Sequence, residues 1–459
     1  MALAYLLASL LAAVPGAALR LPAFVAGGFA RYRVATAIAA GVVLCVTFLG
    51  YVAAYDDAVW ELRAGSPAAR LPIALFGMLP YRSASTSRGD ELLLFIVLGT
   101  VALALFVANL DALGIRARRT LTLGVCAAMA YGALAAHAAD SSDIYLYVGL
   151  AALGPAAYAP PAVPFPADLA AVNQLWGTPL FPSAYGPVWI AVSHVALAAF
   201  ASLAAKLFVL RVIGLGSVLG CALLARALGA PSRVVAAVAC NPALYDLYVV
   251  NAHNDLFGVD LVLAAMLATR RNLGLLGMLL AIAGALCKVT LLPVAFLAAA
   301  GEASLPQRLR FAGVVTAAVV LVYAFGEGGM LRHALVAASE VHANPKNPID
   351  LAFHALPALI ALAAALYALF TGRIRAQAAW TLPALGQFAL TWYFAWGFPF
   401  ALAATDVAVP FFVTLPVVIL MLSPLFPVTP AFIALRVLVV AGSFGLVYYN
   451  LRGPRPSPG

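Results

Sequence analysis

The chain is a succession of long apolar runs broken by short polar ones. Runs rich in Ala, Leu and Val over 35–54, 91–110 and 121–139 each hold about 20 residues, the length an α-helix needs to cross the hydrocarbon core of a bilayer. No water is present at that depth, so each backbone amide must be satisfied inside its own segment, and such runs are helices. The pattern continues past 187 through 261–270, 272–286, 311–325, 351–371, 378–395, 405–422 and 431–449. It predicts an all-α polytopic membrane protein with about 11–13 spans, one integral membrane domain over 1–459. The apolar run over 1–19 has no basic stretch ahead of it and reads as a first helix rather than a cleaved leader. No repeat of fixed period is visible.

Composition agrees. Hydrophobic residues make up 65% of the chain and charged residues 9%, against about 25% charged in soluble domains. A water-facing surface cannot be covered with so few charges, so a soluble fold is excluded. The net charge of +9 does not point to nucleic acid. Much of it lies in short clusters at the ends of apolar runs: Arg31 and Arg33; Arg116, Arg118 and Arg119; Arg270 and Arg271; Arg308 and Arg310; Arg373 and Arg375. Such clusters mark cytoplasmic ends, which places the segment that begins at Asp140 on the outer face. The five cysteines lie mostly within apolar runs, without metal-type spacing, and read as small buried hydrophobes.

The polar breaks hold the candidate chemistry. An outer loop with juxtamembrane helices is expected over 140–187, and a second outer polar loop over 326–350. In the first, Asp140 and Asp143 share a face of a helical turn, with Tyr145 and Tyr147 beyond them and Trp176 and Tyr185 at the loop's end. A carboxylate there, partly shielded from water, suits a general base for a hydroxyl. The plain alternative is helix capping ahead of Ile144. A further break, NPALYDLYVVNAHNDLFG over 241–258, is too polar for a lipid-facing helix and too apolar for a free loop. Its His253, Asn254 and Asp255 are expensive at membrane depth, which argues for a paired or functional role; a structural hydrogen-bond knot between helices would explain them as well.

Lys288, with Pro293 after it, reads as the end of a helix broken near a site. It could meet a lipid phosphate or simply snorkel to the interface. Arg332, His342 and Lys346 make 326–350 cationic, as a phosphate cradle or as a solvated loop. Trp392 and Trp396 suit an interfacial aromatic belt, or stacking on a sugar ring. No cofactor is expected. A divalent cation between two carboxylates and a His is conceivable, but no ligand-spaced motif such as HExxH supports it.

Taken in order, SSDIYLY (141–147), WGTPLFPSAYGP (176–187), NP with AHND (241–255) and WYFAWGFP (392–399) resemble the polytopic GT-C glycosyltransferases that use polyprenyl-phosphate sugars. The nearest likeness is to bacterial α-1,6-mannosyltransferases. The resemblance covers scattered motifs over 137–400, and it departs in having SAYGP for a PYGP-like ending and Leu146 where Ser is usual. It implies a GT-C-like bundle in the bacterial cytoplasmic membrane with its active site on the outer, periplasmic face. There a sugar, mannose by this likeness, would pass with inversion from a polyprenyl-phosphate donor to a glycolipid or glycan acceptor. By position Asp143 matches the family's base, and Asp140 has no counterpart. Tyr145, Tyr147, Trp176, Tyr185, His253, Asn254, Asp255, Trp392 and Trp396 would line the substrate cavity. Lys288, Arg332, His342 and Lys346 would hold the donor phosphate. Two other classes compete: a transporter or flippase for a lipid-linked saccharide, which predicts inverted repeats and midplane charges, and a non-catalytic scaffold, which predicts that Asp143 is replaceable.

Overall fold

The computed structural model describes residues 23–62, 88–136, 141–180, 182–302, 304–326, 359, 362–376, 378–379 and 391–422. Helices account for nearly all of the described elements, and no strand occurs among them. Helices α1 (Ala23–Leu62), α2 (Arg88–Asn109) and α3 (Ile115–Ala135) pack together as an N-terminal group. Helix α4 (Asp143–Leu153) and the short α5 (Ala170–Trp176) follow, and then α6 (Pro187–Ala198) packs back on α4. Next come α7 (Leu203–Ala227), α8 (Ser232–Ala239) and α9 (Pro242–Tyr245). An antiparallel pair, α10 (Asp255–Arg270) and α11 (Gly274–Cys287), leads to α12 (Leu292–Ala295) and α13 (Leu305–Phe325). A 3-10 turn (Thr391–Gly397), α14 (Phe398–Ala401) and α15 (Thr405–Leu422) close the described chain.

Four of these segments are long and apolar enough to cross a membrane: Tyr32–Ala54, Leu94–Ala112, Leu203–Ala227 and Leu305–Phe325. A fifth results if Ser232–Ala239 and Pro242–Val250 count as one span bent by 43°. That is fewer than the expected 11–13. The runs over 1–19 and 431–449, and most of 378–395, lie outside the described residues. Another is shorter than its apolar run suggested. Helix α6 has 12 residues, because it ends at Ala198 instead of running on to about 206, while α11, with 14, stops at Cys287 ahead of Lys288 and nearly fills its expected run over 272–286.

Helix α1 shows how a spanning helix divides its surface. Ala37, Ala40, Leu44 and Phe48 recur at three- and four-residue steps and are buried. On another face Ile38, Val42 and Val46 are 47%, 56% and 61% exposed. An apolar stripe left that open is at home only in lipid, and Leu223 and Phe325 repeat the pattern on α7 and α13. Helix starts follow local chemistry. Ser202 caps α7 by accepting the Ala205 amide. Ser304 and Gln307 form a reciprocal capping box on α13.

The two ends of the bundle differ. At one end Asp111 pairs with Arg118 of α3 and Arg233 of α8, and Arg270 donates to the Leu228 carbonyl at 3.3 Å. The other end collects Asp143, His253, Asp255 and Lys288. Asp255 and Arg270 are the first and last residues of α10, so about 24 Å of helix, at 1.5 Å per residue, separates the basic end from the polar cluster.

Helix α7 lies against the broken span at backbone distance. A Cβ on Gly214 would sit 1.6 Å from the Tyr248 carbonyl oxygen, whereas one on Gly216 would meet nothing within 4 Å. Gly214→Ala is therefore expected to lower stability by about 1–3 kcal/mol or more, because backbone must move. Gly216→Ala should be neutral or slightly stabilising, since Ala is the better helix former. Thermal unfolding of the two variants in detergent checks this, and equal melting temperatures would contradict the close packing.

Candidate functional site

The site begins where α4 starts. Its apolar face is buried almost throughout, so the helix is fixed and its first residue, Asp143, is held at a defined point. Ser142 occupies the N-cap position without a side-chain cap bond, so Asp143 is the first helical residue and not the cap. The loop ahead of it is tied down from three directions. The Ser141 amide donates to Asn251 Oδ1 at 3.1 Å, the Asp143 amide to Ser141 Oγ at 3.2 Å, and Trp176 Nε1 to the Ser142 carbonyl at 2.9 Å. Trp176 thus acts on the loop backbone.

The partner segment is the broken span. Asn241 caps α9 by accepting the Ala243 amide and anchors it by donating from Nδ2 to the Phe412 carbonyl at 2.7 Å. Helix α9 runs into a π-helical turn, Asp246–Val250, a form frequent at functional sites. The turn ends abruptly: Ala252 has φ +51°, a region where a Cβ is crowded. That turn redirects the chain and delivers His253. Arg211 of α7 braces it, donating from Nε to the Val250 carbonyl at 3.1 Å and from Nη1 to the Ala136 carbonyl at the end of α3. One buried cation so holds the segments that lead to Asp143 and to His253.

His253 Nδ1 lies 3.7 Å from Asp143 Oδ2. The His side chain is 1% exposed and that of Asp143 14%, so the carboxylate keeps an opening to the outside. Residues 251–254 lie outside the helices that could cross the membrane. Burial, and secondarily the Lys288 ammonium, holds the His253 imidazole well below the ordinary histidine value of 6.5. It is neutral at pH 7, and its contact with Asp143 is not an ion pair. The folded protein then binds this proton less readily than the unfolded chain, so stability is expected to fall as pH drops from about 7 towards 5. His253→Gln should flatten that slope. Melting curves across the pH range check it, and an unchanged slope would contradict a buried neutral imidazole.

Behind this pair lies a second layer. Tyr147, one turn along α4 from Asp143, donates from its hydroxyl to Asn254 Oδ1 at 3.5 Å. Its ring meets Tyr185 edge-on at 5.1 Å and Trp189 at 5.5 Å. Tyr185 is set by its own loop: its amide donates to Ser183 Oγ and its carbonyl accepts from the Tyr158 hydroxyl. Next to it the Gly186 amide donates to the Cys287 carbonyl at 2.8 Å, so close that a Cβ there would lie 1.9 Å from the Leu286 oxygen. That approach puts the Lys288 Nζ 5.6 Å over the Tyr185 ring. Lys288 also bonds both oxygens of Asp255, at 3.1 and 3.3 Å, and Trp396 Nε1 donates to Asp255 Oδ1 at 3.1 Å.

Most of the residues singled out in the sequence therefore meet. Asp143, Tyr147, Tyr185, His253, Asn254, Asp255, Lys288 and Trp396 form one connected cluster, with Trp176 on its rim and Tyr145 buried beside it on α4. Two roles change. Lys288, with no acid near it in sequence, is paired to Asp255 and buried. Trp396 is 2% exposed and braces Asp255, rather than standing in an interfacial belt. Of Trp392 the backbone is described, in the turn Thr391–Gly397. Asp140, Arg332, His342 and Lys346 lie outside the described residues.

Sequence reasoning missed Arg211, Asn251 and Trp189. Arg211 had a signal, a charge inside an otherwise apolar run. Asn251 stood two residues before His253. Trp189 had none. Among the described residues no three His, Cys, Asp or Glu side chains group as a metal-binding set. Comparisons of the chain with protein-family models, with curated proteins and with solved structures find no match.

Proposed function

We propose that this chain is a membrane glycosyltransferase that moves a sugar, mannose in the first instance, from a polyprenyl-phosphate donor to a glycolipid or glycan acceptor on the outer face. One observation carries the reading. A partly open carboxylate, Asp143, stands 3.7 Å from a buried neutral His253 at one end of an apolar helical bundle, with aromatic rings and a buried ion pair behind it. In this reading Asp143 takes the proton of the acceptor hydroxyl as its oxygen attacks the anomeric carbon. The bond from that carbon to the phosphate oxygen breaks, its electron pair leaves with polyprenyl phosphate, and the configuration inverts. The leaving group is already an anion, so no acid need protonate it. What it needs is counter-charge. Lys288 is already compensated by Asp255, so the phosphate would fall chiefly to Arg332, His342 and Lys346. Tyr185 and Tyr147 offer faces for the sugar, and the braces on the 141–143 loop would set the angle of attack.

A second reading, a transporter or flippase for a lipid-linked saccharide, draws on the span broken at Cys240–Pro242, since broken helices line transport sites. The test is a donor panel. Purified protein in lipid is given polyprenyl-phosphate mannose, glucose or arabinose with a glycolipid acceptor, and release of polyprenyl phosphate is followed. Turnover with one of them supports the transferase and names the sugar. No consumption of any of them, with a competent acceptor extract present, would overturn it.

A further inference from the structure

A second group of reactive side chains lies away from this cluster. Cys126 of α3 and Cys240, at the break between α8 and α9, place their sulfur atoms 3.7 Å apart. Both are free thiols and both are buried. Cys126 donates to the Ala239 carbonyl at 3.2 Å, and Cys240 to the Thr122 carbonyl at 3.8 Å. Tyr245 closes the contact. Its hydroxyl hydrogen is shared between the Ala239 carbonyl at 3.0 Å and the Cys126 carbonyl at 3.5 Å. The two thiols thus sit on different elements, 114 residues apart in sequence, at the bend of the broken span.

We propose that Cys126 and Cys240 are a disulfide-forming pair that clamps the broken span to α3. A disulfide bond is about 2.05 Å long, so the sulfur atoms need to close by less than about 2 Å, within reach of small side-chain rotations. The chemistry of the surroundings selects this outcome over the alternative, capture of a soft metal ion. Two thiolates around a monovalent ion would leave a net negative charge in an apolar interior, whereas a disulfide is neutral. In the reaction two S–H bonds break and one S–S bond forms. Two electrons and two protons pass to a lipid-soluble two-electron acceptor. The bond would fix the bend from which the chain runs on to His253, and would fix it against the helix that leads to Asp143.

The test uses the full chain in lipid nanodiscs, oxidised by dioxygen with copper phenanthroline as the lipid-soluble carrier. Remaining thiols are alkylated in denaturant and the cysteines are assigned by peptide mass mapping. The expected result is a Cys126–Cys240 cross-link with a loss of two hydrogens, while Cys45, Cys221 and Cys287 are alkylated. Cys126→Ser and Cys240→Ser should each lose the cross-link. The oxidised wild type should melt at a higher temperature, and dithiothreitol should reverse the shift. Full alkylation of both cysteines after oxidation, or a disulfide from either one to a different cysteine, would overturn the pairing. A cross-link without any change in melting temperature would overturn the clamp.

Discussion

Asp143→Asn should abolish sugar transfer while leaving the protein folded and able to bind the lipid donor. The substitution keeps the size of the side chain and the backbone bond from residue 143 to Ser141 Oγ. It removes the one property the reaction needs, a basic oxygen 3.7 Å from a neutral imidazole. Loss of a positioned general base costs about 10²–10⁴ in rate, so the fall should be in kcat with KM for the donor nearly unchanged. Because His253 is already neutral, removing the carboxylate strands no imidazolium, and the melting temperature should barely move. Asp140→Asn should retain most activity. If Asp140→Asn is dead and Asp143→Asn is active, the base has been placed one turn too far along the chain.

The largest effect on stability belongs to Lys288. Its ammonium bonds both oxygens of Asp255, deep in the bundle, with 9% of the Lys side chain and none of the Asp exposed. Lys288→Met leaves the carboxylate, among the described residues, with Trp396 Nε1 as a side-chain donor. Breaking a buried pair from one side typically costs about 3–5 kcal/mol, because the other charge is stranded. Asp255→Asn strands the ammonium and should cost a similar amount. The double variant, with neither charge, should recover at least half of the loss. Thermal and denaturant unfolding of the three variants measures the coupling. Additive losses would show that the two groups are not a buried pair.

What could be read from the sequence, and what could not, follows from the range of each interaction. Helices were legible because an apolar run of about 20 residues in lipid must satisfy its backbone within itself, whereas the face each one buries was not, since buried Leu44 and Phe48 and exposed Val42 and Val46 are all apolar. The cluster was legible as a set of costly residues: Asp143, His253, Asp255 and Lys288 each sit where a charge needs a reason. Their pairing was not legible. Lys288 finds Asp255 33 residues away, and Trp396 finds the same carboxylate from 141 residues away. No local pattern encodes those distances; they follow from how α10 and α11 pack and from where the 3-10 turn lies. The shortened helices were also hidden. Lys288 marked a break, but only packing shows that the chain then proceeds in 3-10 turns through Val289–Leu291 and Phe296–Gly301 instead of a continuous span. The strained Ala252 looked like any alanine.

The central claim is that the cluster around Asp143 performs chemistry on a lipid-linked sugar rather than moving it intact. The most direct measurement is made in sealed proteoliposomes that carry polyprenyl-phosphate mannose labelled in the sugar, with acceptor outside. The account predicts that label appears on the acceptor with inverted anomeric configuration, that one polyprenyl phosphate is released per sugar, and that Asp143→Asn stops both. Label that crosses the bilayer still attached to its polyprenyl phosphate, at a rate indifferent to Asp143→Asn, would contradict it and favour a flippase.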